Sequence, residues 1–415
     1  MSAALDFAGA PQGLGGLPAA ARSVLALLQH LRGDRLEVVL PDARALHFGA
    51  HAVGDQSPLQ VHVRDWRVFG ETLRRGDVGF AEGYFEARWT TSDLPRLLRL
   101  LVANRDALQR TLHGSVWGTL LLRLRHALRG NSRRGSRLNI HAHYDIGNEF
   151  YARWLDPGMN YSSGLFTNAW QDLEQAQRNK IERVLGQLQV PAGARVLEIG
   201  CGWGGFAEAA ARRGLQVDGI TLSREQLDWG MRRLRDAGLE PRARLHLLDY
   251  RDMARLAPPG GFDAVASIEM FEAVGERYWK GYFRALAGSL RPGGRACVQS
   301  ITIDDRLFAD YRRGTDFIQQ YIFPGGMLPS REVFRGLAAG AGLAVEDEYA
   351  FGADYATTLA LWRQRFLQAE QQLEAQGFDR RFRRLWEFYL AYCEAGFAQA
   401  STDVVQFTLR KRLEA

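Results

Sequence analysis

VLEIGCGWGGF (196–206) joins a strand to a helix through four glycines. ARVLEIG (194–200) has the unbroken apolar character of a strand covered on both faces. GGFAEAAARRG (204–214) reads as a helix closed by a glycine. Gly200, Gly202, Gly204 and Gly205 let the backbone turn sharply and let a ligand come close. A glycine-rich loop alone is a weak signal. This one is acid-Ile-Gly-Cys-Gly-x-Gly rather than GxGxxG, and its acid, Glu198, sits where it can order the loop and reach a cationic ligand.

Working outward, LQVDGIT (215–221) reads as a second strand, and Ser223 with Gln226 as a capping box opening the next helix. RLHLLD (244–249), FDAVASI (262–268) and RACVQSITI (295–303) are three further strands. Upstream, Ile181, Val184, Leu185 and Leu188 recur at helical spacing. Strands alternating with helices predict an α/β fold with a parallel, doubly wound sheet. DVVQFTLRK (403–411) reads as a late antiparallel strand returning to it, and 305–400 as mostly helical and rich in aromatics.

The first hundred residues have another character. A Gly/Ala/Pro-rich tail precedes a short amphipathic helix (22–32) and two β-like runs around Pro41-Asp42. A half-buried strand (59–65) and a helical stretch from Phe69 to Asn104 follow. The expected organisation is a small α+β domain over 1–112, a basic helical linker over 113–140 and a third segment over 141–415. Within the linker, Arg123, Arg125, Arg129, Arg133, Arg134 and Arg137 follow or interleave with Val116, Leu120, Leu124 and Leu128. That pattern suits an interdomain connector, and equally a helix lying on anionic lipid.

Length, 46% hydrophobic and 24% charged content fit a folded chain of two domains and exclude disorder. A net charge of +6 favours an anionic partner: a membrane surface, a nucleic acid or a phosphorylated substrate. Of 53 basic residues only Lys180, Lys280 and Lys411 are lysines, which reads first as codon bias and second as a binding device. Cys201, Cys297 and Cys393 form no CxxC and no metal framework, so a reduced compartment is expected. No signal peptide is expected, and the apolar run Val116–Leu122 is too short to span a bilayer. HAH (141–143), with His113 the other histidine nearby, is not expected to hold a metal.

The glycine loop resembles that of class I methyltransferases using S-adenosylmethionine (SAM). In many of these an acid ending the second strand binds the ribose. Here Thr221 stands at that place, so Thr221, Leu222 and Gln226 are the expected ribose contacts, with Asp218 in reserve. Tyr250 and Arg251 are placed to flank the adenine, though a packing tyrosine reads equally well. SIEMFEAVGERYW (267–279) lacks the Asn/Asp-Pro-Pro-aromatic motif of enzymes that methylate base amino groups, which argues against a base methylase, and no nucleic-acid partner is expected. It puts Glu272 near the expected methyl group.

AHYDIGNEFYARWLDPGMNYSSGLF (142–166), the glycine loop, GITLSREQ (219–226), MFEAVGERYWKGYF (270–283), YIFPGGMLPS (321–330) and FGADYATTLALW (351–362) follow one another in order. Together they resemble the cyclopropane fatty acid synthase family, and the N-terminal segment resembles a sterol-carrier-like domain more weakly. The resemblance implies methyl transfer from SAM to the cis double bond of an unsaturated acyl chain in a membrane phospholipid. It also implies a homodimer; with no transmembrane helix expected, such an enzyme would reach the inner membrane surface from the cytoplasm. An alkene is a poor nucleophile, so attack must be enforced by positioning. The resulting carbocation needs aromatic faces and a nearby anion. Proton loss from the added methyl closes a cyclopropane; a hydride shift first gives a methylene branch.

By the same resemblance Tyr161 and Ser162 contact SAM, and a bicarbonate base is held at Cys, Glu, His and Tyr positions. Glu272 and Tyr355 match the Glu and Tyr, while Ser163 replaces the Cys and Gln299 the His. Plant-type members also have Gln there. Cys393 matches a further family cysteine and reads equally as a packing residue. Methylation of a small molecule or RNA, and a non-catalytic lipid-binding role, are the competing readings.

Overall fold

The computed structural model describes residues 14–49, 57–109 and 146–413. The expected linker, the HAH segment and His113 lie outside the described residues. The described chain divides into two compact units. One holds the residues up to Gln109 with Phe378–Ala395; the other holds those from Ile146 to Gly377 with Gly396 onward.

The smaller unit contains β1 (Leu36–Val39), β2 (Ala45–Phe48), β3 (Leu59–Val63) and β4 (Trp89–Thr91), in the order β2-β1-β3-β4. β1 and β2 form the hairpin around Pro41-Asp42; β3 runs parallel to β1 and antiparallel to β4. β4 lies inside the stretch expected to be helical. Its three residues are too few for a period-2 pattern to show, and Trp89 fixes it instead. That side chain is fully buried, stacks on Phe80 at 4.3 Å between ring centroids and donates Nε1–H to the Phe80 carbonyl at 2.8 Å.

The helix Arg380–Ala398 packs in this unit through its residues up to Ala395. The Arg384 guanidinium lies 3.9 Å from the Tyr84 ring centroid, and Tyr84 donates to Glu387 Oε2 at 2.8 Å. Tyr392 donates to Asp77 Oδ2 across 315 residues of sequence. The expected segment 141–415 is thus interrupted in space by one helix, a pairing that no local pattern displays.

The larger unit is built on β5 (Arg195–Ile199), β6 (Gln216–Thr221), β7 (Ala243–Leu247), β8 (Phe262–Ile268), β9 (Leu290–Ile303), β10 (Leu343–Ala350) and β11 (Thr402–Lys411). The order is β10-β11-β9-β8-β5-β6-β7, with β5 to β9 parallel and β11 antiparallel to both neighbours. β11 is the expected late strand; β10 was expected to be helical. β10 is an edge strand with one buried residue, Leu343, so the apolar alternation of a half-buried strand is missing.

Alternation along the parallel strands sorts the core into two layers. Leu197, Ile199 and Val265 face one layer, with Phe271, Phe283, Phe334 and Phe407. Val196, Val217, Ala264 and Ala266 face the other, with Phe206, Val184 and Leu234. Helices cover both faces, which is why these strands read as unbroken apolar runs. Phe334 is fully buried and stacks on Phe407 at 3.9 Å, tying the helix Arg331–Gly340 to the sheet. Ser223 caps its helix as expected, accepting from the Gln226 N–H at 3.2 Å. The other half of the capping box is not made, because the Gln226 side chain turns to Thr221.

Phe334→Ala should cost about 3–5 kcal/mol, the usual penalty for emptying a buried aromatic site. Arg178→Ala, at an exposed ion pair with Glu174, should cost under about 1 kcal/mol. Urea denaturation of both variants checks this, and equal costs would contradict the assignment of stability to the core.

Candidate active site

β5 and β8 are hydrogen-bonded neighbours, yet the chain runs outward from β5 to β6 and β7 before returning to β8 and β9. The crevice at their carboxyl ends is therefore the topological switch point, where open α/β sheets bind ligands. Two segments meet there: the glycine loop after β5 and Glu269-Met270-Phe271-Glu272 after β8.

Gly200, Gly202 and Gly204 have φ of +83°, +49° and +83°, a region costly for other residues. A Cβ on Gly200 would lie 2.7 Å from Met270 Cγ, whereas one on Gly202 would meet nothing within 4 Å. The loop is closed on one side and open on the other. A Cβ on Gly205 would lie 2.7 Å from Asn160 Oδ1, so the segment 156–163 is seated on the helix start. Asp156 folds that segment by accepting from Gly158 N (2.8 Å), Asn160 N (3.1 Å) and Asn160 Nδ2 (3.0 Å). Arg233 clamps it through the Gly158 carbonyl at 2.7 Å. Tyr161 follows in a cage of Tyr151, Trp154 and Trp362, with centroids 5.4–5.5 Å away.

Glu198 is buried, and its Oε2 has no hydrogen-bond partner among the described residues. Burial pushes its pKa up to about 8, against the pull of Lys180 and Arg233. At the end of β6, Thr221 donates to Gln226 Oε1 at 2.9 Å; both are buried, and Leu222 between them is half-buried. Asp218, the reserve ribose ligand, is bound by His246 at 3.0 Å and Arg195 at 3.4 Å. Tyr250 is buried edge-on to Tyr282 at 5.6 Å, and the Arg251 guanidinium lies between Tyr250 and Tyr278, 5.1 and 5.0 Å from their centroids. An open glycine cradle, an unpartnered buried carboxyl oxygen and a hydroxyl-amide pair suit a ligand with a cationic group and a hydroxylated ring.

The second cluster centres on Glu269. Its Oε1 accepts from the Ser163 N–H at 2.9 Å and Gln299 Nε2 at 2.7 Å; its Oε2 accepts from the Tyr355 hydroxyl at 2.6 Å. The orientation of Gln299 is set from behind. Gln406 Nε2 donates to Gln299 Oε1 at 3.0 Å, and Arg183 Nη1 donates to Gln406 Oε1 at 2.9 Å. This relay leaves Gln299 with only its N–H groups to offer forward. Lys180, 1% exposed, donates to Ser162 Oγ at 2.6 Å, and Gln177 Nε2 donates to the Ser162 carbonyl at 2.7 Å. Burial lowers the Lys180 pKa to about 8, while Glu269, Asp156 and Glu198 hold it up. Burial likewise raises Glu269, opposed by its three donors and by Lys180.

Three of the residues expected around a bicarbonate ion, Ser163, Gln299 and Tyr355, are therefore together, but they bind a carboxylate of the chain itself. Glu272, expected with them, takes a different place. Its Oε1 accepts from Ile301 N, and its Oε2 has no partner among the described residues. Burial, reinforced by the charge of Glu269, pushes its pKa up to about 8. A free anion does not fit this donor set, because Glu269 occupies it and a second negative charge alongside would be repelled. Cys393 belongs to the smaller unit. Sequence reasoning missed Glu269 and Lys180. Each had a signal: an acid directly after β8, and one of three lysines in an arginine-rich chain.

The family model for mycolic acid cyclopropane synthetase matches residues 131–407. The chain is 41% identical to tuberculostearic acid methyltransferase UfaA1 of Mycobacterium tuberculosis over 346 residues, 81% of this chain and 79% of that protein. It is 31% identical to cyclopropane-fatty-acyl-phospholipid synthase of Escherichia coli over 366 residues, 88% and 91% of the two chains. Among solved structures, mycolic acid cyclopropane synthase CmaA1 complexed with SAH and CTAB superposes with a TM-score of 0.61 at 28% identity, covering 66% of this chain and 98% of that one. On these matches, and with the glycine loop and switch-point crevice above, the chain belongs to the mycolic acid cyclopropane synthetase family of SAM-dependent methyltransferases.

Proposed function

We propose that the chain methylates the cis double bond of unsaturated acyl chains in membrane phospholipids, closing a cyclopropane ring. The similarity to a phospholipid cyclopropane synthase over 88% of the chain supports this reading most directly. A second product, a methyl or methylene branch from the same cation, is favoured by the 41% identity to a tuberculostearic acid methyltransferase.

Bound SAM supplies an electrophilic methyl group on a positively charged sulfur. In this reading the glycine loop and Glu198 take its cationic amino acid end, Thr221 and Gln226 its ribose, and Tyr250 and Arg251 its adenine. Tyr161 and Ser162 border the methyl group. An alkene has no lone pair, so rate depends on holding the double bond in line with that methyl. The aromatic cage of Tyr151, Trp154, Tyr161 and Trp362 offers π faces to the carbocation. The Glu269 carboxylate offers the compensating charge. Among the described residues no helix is long and apolar enough to cross a membrane, so lipid would be met from the surface. The basic segment 123–137 is the proposed contact.

Two outcomes are expected. Purified protein given SAM and mono-unsaturated phospholipid vesicles should add one CH₂ to the released fatty acids. Ring protons in the NMR spectrum establish the cyclopropane, vinylidene protons the branch, and unmodified lipid refutes both. The second concerns SAM affinity. Glu198 has its pKa raised to about 8 and is protonated below it, with Lys180, Arg233 and Cys201 as its titratable neighbours. A cationic ligand needs the carboxylate, so binding releases a proton. Affinity should rise with pH up to about tenfold per unit below that pKa and then level. Glu198→Gln should flatten the profile in calorimetric titrations. An unchanged slope would remove Glu198 from the binding site.

A further inference from the structure

We infer that Glu269 is the proton-accepting base of the reaction, a carboxylate built into the chain where relatives are expected to borrow an anion from solution. The inference rests on the proposed methyl transfer to an alkene. It stands on the geometry of one cluster. Ser163 N, Gln299 Nε2 and the Tyr355 hydroxyl converge on the two oxygens of Glu269 at 2.9, 2.7 and 2.6 Å. A carboxylate has about four acceptor sites, so among the described residues one remains, on Oε2, the oxygen with a single donor.

Two further observations support it. Glu269 has φ of +49°, a left-handed conformation for a residue with a full side chain. Such a conformation is strained and persists where the surroundings over-determine it. Here its backbone N–H is tied to the Gln299 carbonyl at 2.8 Å while its side chain reaches the Gln299 amide. The Arg183–Gln406–Gln299 relay is the second. Two side chains and a guanidinium are spent on presenting an N–H to this carboxylate. Arg183 and Gln406 are accordingly positioning residues.

The step balances without a further reagent. The alkene π pair forms the new C–C bond as the S–CH₃ bond breaks toward sulfur, leaving a cation on the neighbouring carbon. Glu269 Oε2 takes a proton from the added methyl, and that C–H pair closes the ring, or forms the exocyclic double bond after a hydride shift. The carboxylic acid then returns its proton to solvent between turnovers. General-base removal of this kind contributes about 10²–10⁴-fold.

The test uses the full-length enzyme, unsaturated phospholipid vesicles and SAM, in CO₂-free buffer with and without added bicarbonate. Wild-type turnover should be the same in both. Glu269→Gln keeps shape and hydrogen bonding but has no basic oxygen, and should lose at least about 100-fold in kcat with SAM affinity within twofold. Glu269→Gly relieves the backbone and frees the three donors for a small anion, so its low activity should be restored by bicarbonate in a saturable manner. A wild type that loses activity without bicarbonate overturns the inference, as does Glu269→Gln with wild-type kcat. Wild-type protein that methylates no lipid under either condition refutes the underlying function instead, so the two failures are distinguishable.

Discussion

An ammonium group sealed from water organises this crevice. Lys180 is 1% exposed, and the carboxylates of Glu269, Asp156 and Glu198 all act on its charge. Truncating Lys180 should cost about 3–5 kcal/mol, because the buried acidic groups around it have no solvent to turn to. The positions of the three acids are therefore linked through one residue of the helix Leu173–Leu188. Asp156 shapes the loop bearing Tyr161 and Ser162, Glu198 lies one residue before the end of β5, and Glu269 directly follows β8. Through Lys180 the glycine-loop side and the Glu269 side of the crevice share one electrostatic balance.

Within that balance the acids divide by environment. Among the described residues Glu198 and Glu272 each have an oxygen without a partner, and both are pushed up to about 8, so they are neutral at pH 7 before ligand binds. Glu269 has three donors, which together with Lys180 oppose the upward push of burial. Nearby carboxyls driven apart in this way are the usual means by which one site does both acid and base work. A neutral Glu272 also spares Glu269 a like charge next to it. The cost is a strained backbone at Glu269 and buried polar atoms that only a ligand or a proton satisfies.

The sheet and the glycine loop were legible in the sequence because both faces of the parallel strands are buried and the loop demands glycines at fixed places. β11 was legible for the same reason, with six consecutive buried residues. β10, β4 and the helix Arg380–Ala398 were not, since their positions follow from contacts across long stretches of chain. Ser163, Gln299 and Tyr355 were found by family resemblance, and the structure brings them together. What they surround was not found. The resemblance supplied a Glu position, and Glu272 matched it. Glu269 stands three residues earlier, and only the turn after β8 shows which of the two carboxyls enters the donor set. Lys180 was hidden by composition, since a rare lysine among arginines reads as codon usage until its burial is known.

The most direct measurement of the chemistry uses SAM with a fully deuterated methyl group and mono-unsaturated phospholipid, followed by mass analysis of the modified acyl chains. A base that strips the added methyl leaves two of its three deuteriums in the lipid, whether a ring closes or a methylene forms. That result is expected here, at one modified carbon pair per SAM consumed. Lipid that keeps all three deuteriums would contradict proton removal at the methyl, and with it the role assigned to the carboxylate at the end of β8.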